Sequence, residues 1–102
     1  MADLTIHDNT DAHRYELPVG GEMAVVVYNL SGQNLMITET LVPEALEGQG
    51  IASRLAKHVI ADARSRGLQI LPVCPFFSAY LRSHPEHAEV VHPTYRQILG
   101  LG

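Results

Sequence analysis

The segment Gly48-Gln49-Gly50 stands between an extended run ending at Val42-Pro43 and an amphipathic stretch opening at Ile51. Two glycines at such a junction let backbone N–H groups converge on an anion without interference from a Cβ, and a helix start adds about half a positive charge there. A pyrophosphate fits this loop. The same glycines suit a plain strand-to-helix turn, and the spacing alone leaves both readings open. Other phosphate motifs are excluded: a dinucleotide fingerprint needs a third glycine where Ser53 stands, and a P-loop needs a Gly-Lys-Ser/Thr end that is missing. Cys74 is the second chemical feature, because it precedes Pro75 at the expected start of a helix. A helix N-terminus favours the thiolate, which gives Cys74 a route to reactivity; a small buried thiol packing at a sheet end is the plain alternative. Six histidines invite a metal site, but Pro85 interrupts His84-Pro85-Glu86-His87 and no cysteine lies near, so no metal is expected.

These residues need elements to position them. Leu4–His7 and Arg14–Leu17 alternate as short edge strands, Pro18 with Gly20-Gly21 reads as turn chemistry, and Met23–Leu30 is too β-branched to prefer a helix. Ser31–Asn34 connects it to a further strand, Leu35–Val42, which predicts four antiparallel strands in a row. At Pro43 the apolar period changes from two to about 3.6. Ile51, Ala52, Leu55, Ala56, Val59, Ile60 and Ala63 then share one helix face, with Arg54, Lys57, His58, Asp62 and Arg64 on the other. Gly67 stops the helix and Leu68–Val73 is a short strand, so Leu35 to Val73 forms a strand–loop–helix–strand crossover. Pro75 opens a second helix from Phe76 to about Ser83, ended by His84-Pro85. The remainder is weakly patterned. The prediction is one α/β domain of the α+β kind over 1–102, core about 5–93, with a mostly antiparallel sheet of about five strands.

Composition narrows the function classes. The 102 residues are 46% hydrophobic and 18% charged, the balance of a globular domain, and no run is long and apolar enough to span a bilayer. A single cysteine suits a reducing compartment, and Asp3 stands where a secretory signal carries basic residues; both point to the cytoplasm. A formal net charge of −4 argues against a general nucleic-acid binder. The charge is uneven: residues 1–47 carry one Arg against eight acids, −7, whereas residues 48–67 carry four basic residues against one acid, +3.

Glu47-Gly48-Gln49-Gly50-Ile51-Ala52 resembles the loop of the GNAT superfamily of acyl-CoA-dependent N-acetyltransferases, in which Arg or Gln, two spacers, Gly, one spacer and Gly or Ala open the helix after the fourth strand. Here Glu47 takes the first position and supplies no cation to the pyrophosphate. Thr40-Leu41-Val42-Pro43 before the loop, Ile70–Cys74 after the helix and a closing helix with Tyr80 extend the likeness to a small subfamily of about a hundred residues with a compact, minimal version of the fold. The resemblance implies acetyl-CoA as cosubstrate. It places backbone groups of Leu41 and Val42 on the pantetheine, and Gly48, Gln49, Gly50, Ile51, Ala52 and Ser53 around the pyrophosphate. Arg54 and Lys57 either meet the nucleotide phosphates or form a solvated helix face. Tyr80 is implied as proton donor to the departing thiolate, against a plain core aromatic; Glu39 as the base that takes the amine proton, against an exposed strand carboxylate; and Cys74 as a covalent acyl acceptor or a polar contact to the thioester.

The expected activity is acetyl transfer from acetyl-CoA to a primary amine, by direct attack as the default and through an acyl-cysteine as the variant. The alternatives are a CoA-binding interaction or regulatory module without catalysis, and a structural domain with no nucleotide ligand. The amine and the oligomeric state are not legible in one sequence.

Overall fold

The computed structural model describes residues 5–101. Five strands form one sheet in the order β1 (His7–Asn9), β2 (Arg14–Val19), β3 (Glu22–Ser31), β4 (Asn34–Leu41) and β5 (Gln69–Pro72). The first four are antiparallel neighbours, and β5 joins β4 in parallel. Between them runs α1 (Ile51–Arg66), followed after β5 by α2 (Pro75–Ser83) and α3 (Pro93–Leu99). The crossover from β4 through α1 to β5 matches the expectation. So does a mostly antiparallel sheet.

Three local expectations are corrected. The first strand is His7–Asn9 rather than Leu4–His7; Leu4 lies outside the described residues, and Thr5 and Ile6 are not in a strand. The strand is set by what it meets, His7 opposite Glu16 and Asn9 opposite Arg14, and not by its own alternation. Pro18 belongs to β2, opposite Met23, and the turn is confined to Gly20-Gly21. Proline is tolerated there because β1 pairs with β2 only over Arg14–Glu16, so no ladder partner awaits an N–H at position 18. The weakly patterned C-terminal stretch contains a six-residue 3₁₀ segment, Pro85–Val90, and then α3, whose Leu99 is buried in the core.

One face of the sheet, carrying Tyr15, Leu17, Ala24, Val26, Tyr28, Leu35, Ile37 and Ile70, contributes to a single buried cluster with Leu55, Val59, Ile60 and Ala63 of α1 and Phe77 and Leu81 of α2. The α1 residues fall three and four apart, as a one-sided helix requires. The C-terminal end of α1 is tied down by polar contacts as well. Tyr15 Oη donates to Asp62 Oδ2 at 2.5 Å, Tyr28 Oη donates to Asp8 Oδ1 at 2.6 Å, and the Arg66 guanidinium lies 3.0 Å from Asp62 and 3.5 Å from Asp8. Burial, followed by the hydrogen bonds to these carboxylates, holds both phenols well above their ordinary pKa and keeps them protonated as donors.

The sheet opens where β4 and β5 part. β5 pairs with β4 only from Asn34 to Ile37, and Pro72, opposite Ile37, brings no N–H to extend the ladder. Val73 N bonds back to Leu71 O at 3.0 Å, a tight turn that swings the chain off its neighbour, and Cys74 N makes a last bond to Ile37 O at 2.9 Å. Beyond that apex, among the described residues, Glu39–Leu41 have a strand partner on the β3 side alone.

Candidate active site

The two glycines of the loop take left-handed backbone, Gly48 at φ 80° and Gly50 at φ 72°, and Gly50 is the N-cap of α1. A Cβ on either would meet nothing within 4 Å, so backbone conformation rather than crowding demands glycine, and the space beside the loop is open. No side chain caps α1, and its first turn contains no acid. Arg54 N to Gly50 O, 3.0 Å, is the first intrahelical bond, which leaves the N–H groups of Ile51, Ala52 and Ser53 ahead of it. A cleft of about 170 Å³ lies there, lined by Val42, Leu46, Glu47, Gly48 and the turn from Gly50 to Ser53. An uncapped helix start with glycines aiming its donors into open space is what a phosphate group fits.

The structure separates two members of the expected set from this cleft. Gln49 folds back to donate from Nε2 to Ala45 O at 3.4 Å and lines a neighbouring groove of about 430 Å³ with Gly50, Ser53, Arg54 and Lys57. Leu41, 51% exposed, sits at the open edge of β4, where its backbone faces the gap left by β5. A further cavity of about 380 Å³ beside α3, lined by Pro93, Thr94, Arg96 and Gln97, shares no residue with the loop.

At the apex of the opening, Cys74 is the N-cap of α2, in extended conformation, as its place before Pro75 predicted. Its side chain makes no capping bond. Instead Sγ lies 3.4 Å from Thr40 Oγ1, and the residue is only 3% exposed. Thr40 was not among the expected site residues; the two are 34 positions apart, and only the fork brings them together. A bulge prepares this contact. Val27 pairs with Glu39 and Tyr28 with Ile37, so Thr38 is an extra residue in β4, and its hydroxyl donates to Val27 O at 3.2 Å. After the bulge Thr40 stands opposite buried Val26, whereas Glu39 stands opposite Val27 on the other face of the strand, exposed. Glu39 and the Thr40–Cys74 pair therefore approach the fork from opposite faces of β4.

Tyr80 lies on α2, 7% exposed, its ring stacked on His84 at 4.0 Å and tilted against Phe76 at 6.1 Å. His84 Nδ1 donates to the Tyr80 carbonyl at 2.7 Å, fixing the stacked pair. The Tyr80 hydroxyl is enclosed and, among the described residues, has no hydrogen-bond partner. Burial first, and then the Glu86 carboxylate, push its pKa up, so it remains a donor through neutral pH. Among the described residues no group of three or more His, Cys, Asp or Glu is arranged to hold a metal ion. No helix among them is long and apolar enough to cross a membrane.

Comparison with known proteins bears on the fold and the family. The family model described as GCN5-related N-acetyl-transferase matches residues 14–90. The solution structure of a GCN5-like candidate N-acetyltransferase from Staphylococcus aureus superimposes with a TM-score of 0.70 at 24% sequence identity, over 90% of this chain and 91% of that one. No curated protein sequence matches the chain significantly.

Proposed function

The chain belongs to the GCN5-related N-acetyltransferase family, and from that premise we propose that it transfers an acetyl group from acetyl-CoA to a primary amine, on a small molecule or on a protein lysine or N-terminus. The observation that carries this reading is the pairing of an uncapped start of α1 with a β4 edge that its ladder partner leaves at the Cys74 N–Ile37 O apex. From Leu41 back to Ile37 the edge spans four residue steps, about 13 Å of extended chain. An amide-bearing arm can pair with that edge as an added strand, its diphosphate held at the Gly48–Ser53 turn. Bound acetyl-CoA supplies the activated acyl group.

The chain's own residues then have distinct tasks. Backbone groups of Leu41 and Val42 orient the pantetheine, and N–H groups from Gly48 to Ser53 meet the diphosphate. Glu39, exposed on the open face of β4, takes the proton of the incoming amine, directly or through water. Tyr80, kept protonated by burial, supplies a proton to the departing sulfur. The Cys74 thiol with its Thr40 partner is a polar contact at the apex while the amine attacks directly. Titration calorimetry with acetyl-CoA, followed by free-thiol release over a panel of amines, tests the reading. Binding with release on at least one amine is expected. Binding without release on any amine would make the domain a CoA-binding module. An absent thermal shift would remove the nucleotide altogether, since a ligand at a hundred times its Kd adds about 2.7 kcal/mol.

A further inference from the structure

Resting on the acetyl-CoA reading, we propose that the groove beside the glycine turn binds the 3′-phosphate of the nucleotide, with Arg54 and Lys57 selecting CoA over 3′-dephospho-CoA. The groove, about 430 Å³, shares Gly50 and Ser53 with the diphosphate cleft, so it begins where that cleft ends. Its remaining lining is Gln49, Arg54 and Lys57, with no acid among them.

The two cations are anomalous for a helix arranged only for its own stability. They stand three residues apart, where like charges repel, in the half of α1 whose dipole disfavours cations, and no acid in the first turn offsets them. Among the described residues neither makes an ion pair, whereas Arg64 and Arg66, at the favourable end, are paired with Glu89, Asp62 and Asp8. Glu47 lines the diphosphate cleft and brings no positive charge to it. The cationic charge is thus displaced one turn along the helix, away from the diphosphate and toward the groove. A phosphate monoester carries about −1.5 to −2 charges at neutral pH and three acceptor oxygens. An Arg fork and a Lys point charge suit it.

The test is titration calorimetry of CoA and 3′-dephospho-CoA against the wild-type protein and the Arg54→Gln, Lys57→Gln and doubly substituted variants. Wild type is expected to bind CoA at least about tenfold more tightly than 3′-dephospho-CoA, 1.4 kcal/mol. This preference shrinks as salt rises from about 50 to about 500 mM. The double variant is expected to bind both ligands alike, at the wild-type affinity for 3′-dephospho-CoA, with each single variant intermediate. Equal affinities in wild type would overturn the subsite while leaving the acetyl-CoA reading intact. A preference that survives in the double variant would overturn it too, by placing the phosphate elsewhere. Failure of both ligands to bind the wild type would remove the acetyl-CoA reading and the subsite together. Both side chains are exposed, so folding of the variants is expected to be undisturbed and is checked by their thermal unfolding.

Discussion

At the C-terminal end of α1 the polar groups close on one another, Tyr15 on Asp62, Tyr28 on Asp8 and Arg66 on both carboxylates, with Gly67 capping back onto the last turn. The N-terminal end has no side-chain cap on its helix N–H groups, and among the described residues Arg54 and Lys57 make no ion pair. The β4 edge lacks its β5 partner beyond Ile37, and among the described residues the Tyr80 hydroxyl has no partner. Buried or oriented polar groups are costly to leave unmatched, and the proposed cofactor would complete those at the open end. Under the proposed function, one end serves the fold and the other serves binding.

Side-chain substitutions at the open end should then change ligand handling with little effect on stability, and those at the closed end the reverse; Gly50, whose left-handed backbone bears on both, is the exception. Tyr80→Phe is the sharpest case: kcat for thiol release should fall about a hundredfold as a proton donor is removed, with the melting temperature unchanged or raised because an unpartnered buried hydroxyl is gone. Retained kcat would reduce Tyr80 to a core aromatic. Gly50→Val places a β-branched residue at φ 72°, and acetyl-CoA affinity by calorimetry should drop more than about tenfold, with about 1–2 kcal/mol of stability lost to left-handed backbone. Tyr15→Phe removes the donor to Asp62 at the closed end and should cost about 1 kcal/mol, read as a melting point about 4–8 °C lower in a domain of this size. Its acetyl-CoA affinity should stay at the wild-type value; a loss matching that of Gly50→Val would erase the distinction between the two ends. The smallest effect is expected for Cys74→Ala, with turnover within about threefold of wild type if the amine attacks directly and no acyl adduct by intact mass. A stable adduct at Cys74 that passes into product would replace direct transfer with a covalent path.

The crossover and its loop are legible in the chain because their signals are local. The apolar period of α1, Gly67 at its end, Pro75 at the start of α2 and the glycines before Ile51 act within a turn or two of themselves. β1 was displaced because a three-residue edge strand owes its position to Glu16 and Arg14, and its Asp8 to Tyr28, 20 residues away. The third helix carried Pro93 at its first turn and Gly100 at its end, but seven residues are too few for an apolar period to register. Thr40 had no signal in the chain. Its role at the fork depends on a bulge, which is a property of how two strands pair.

Sequence by itself determined the element types as far as α2, the phosphate-compatible turn and the separation of charge into an acidic first half and a basic loop and helix. These follow from backbone preference, periodicity and composition, all of them short-range or additive. Tertiary structure alone decided where β5 leaves β4 and which side chains meet at the apex. It also decided that Glu39 and Cys74 approach from opposite faces, and that, among the described residues, Arg64 and Arg66 find acids while Arg54 and Lys57 do not. Each of those depends on register and on contacts between residues far apart in the chain, which no local pattern encodes.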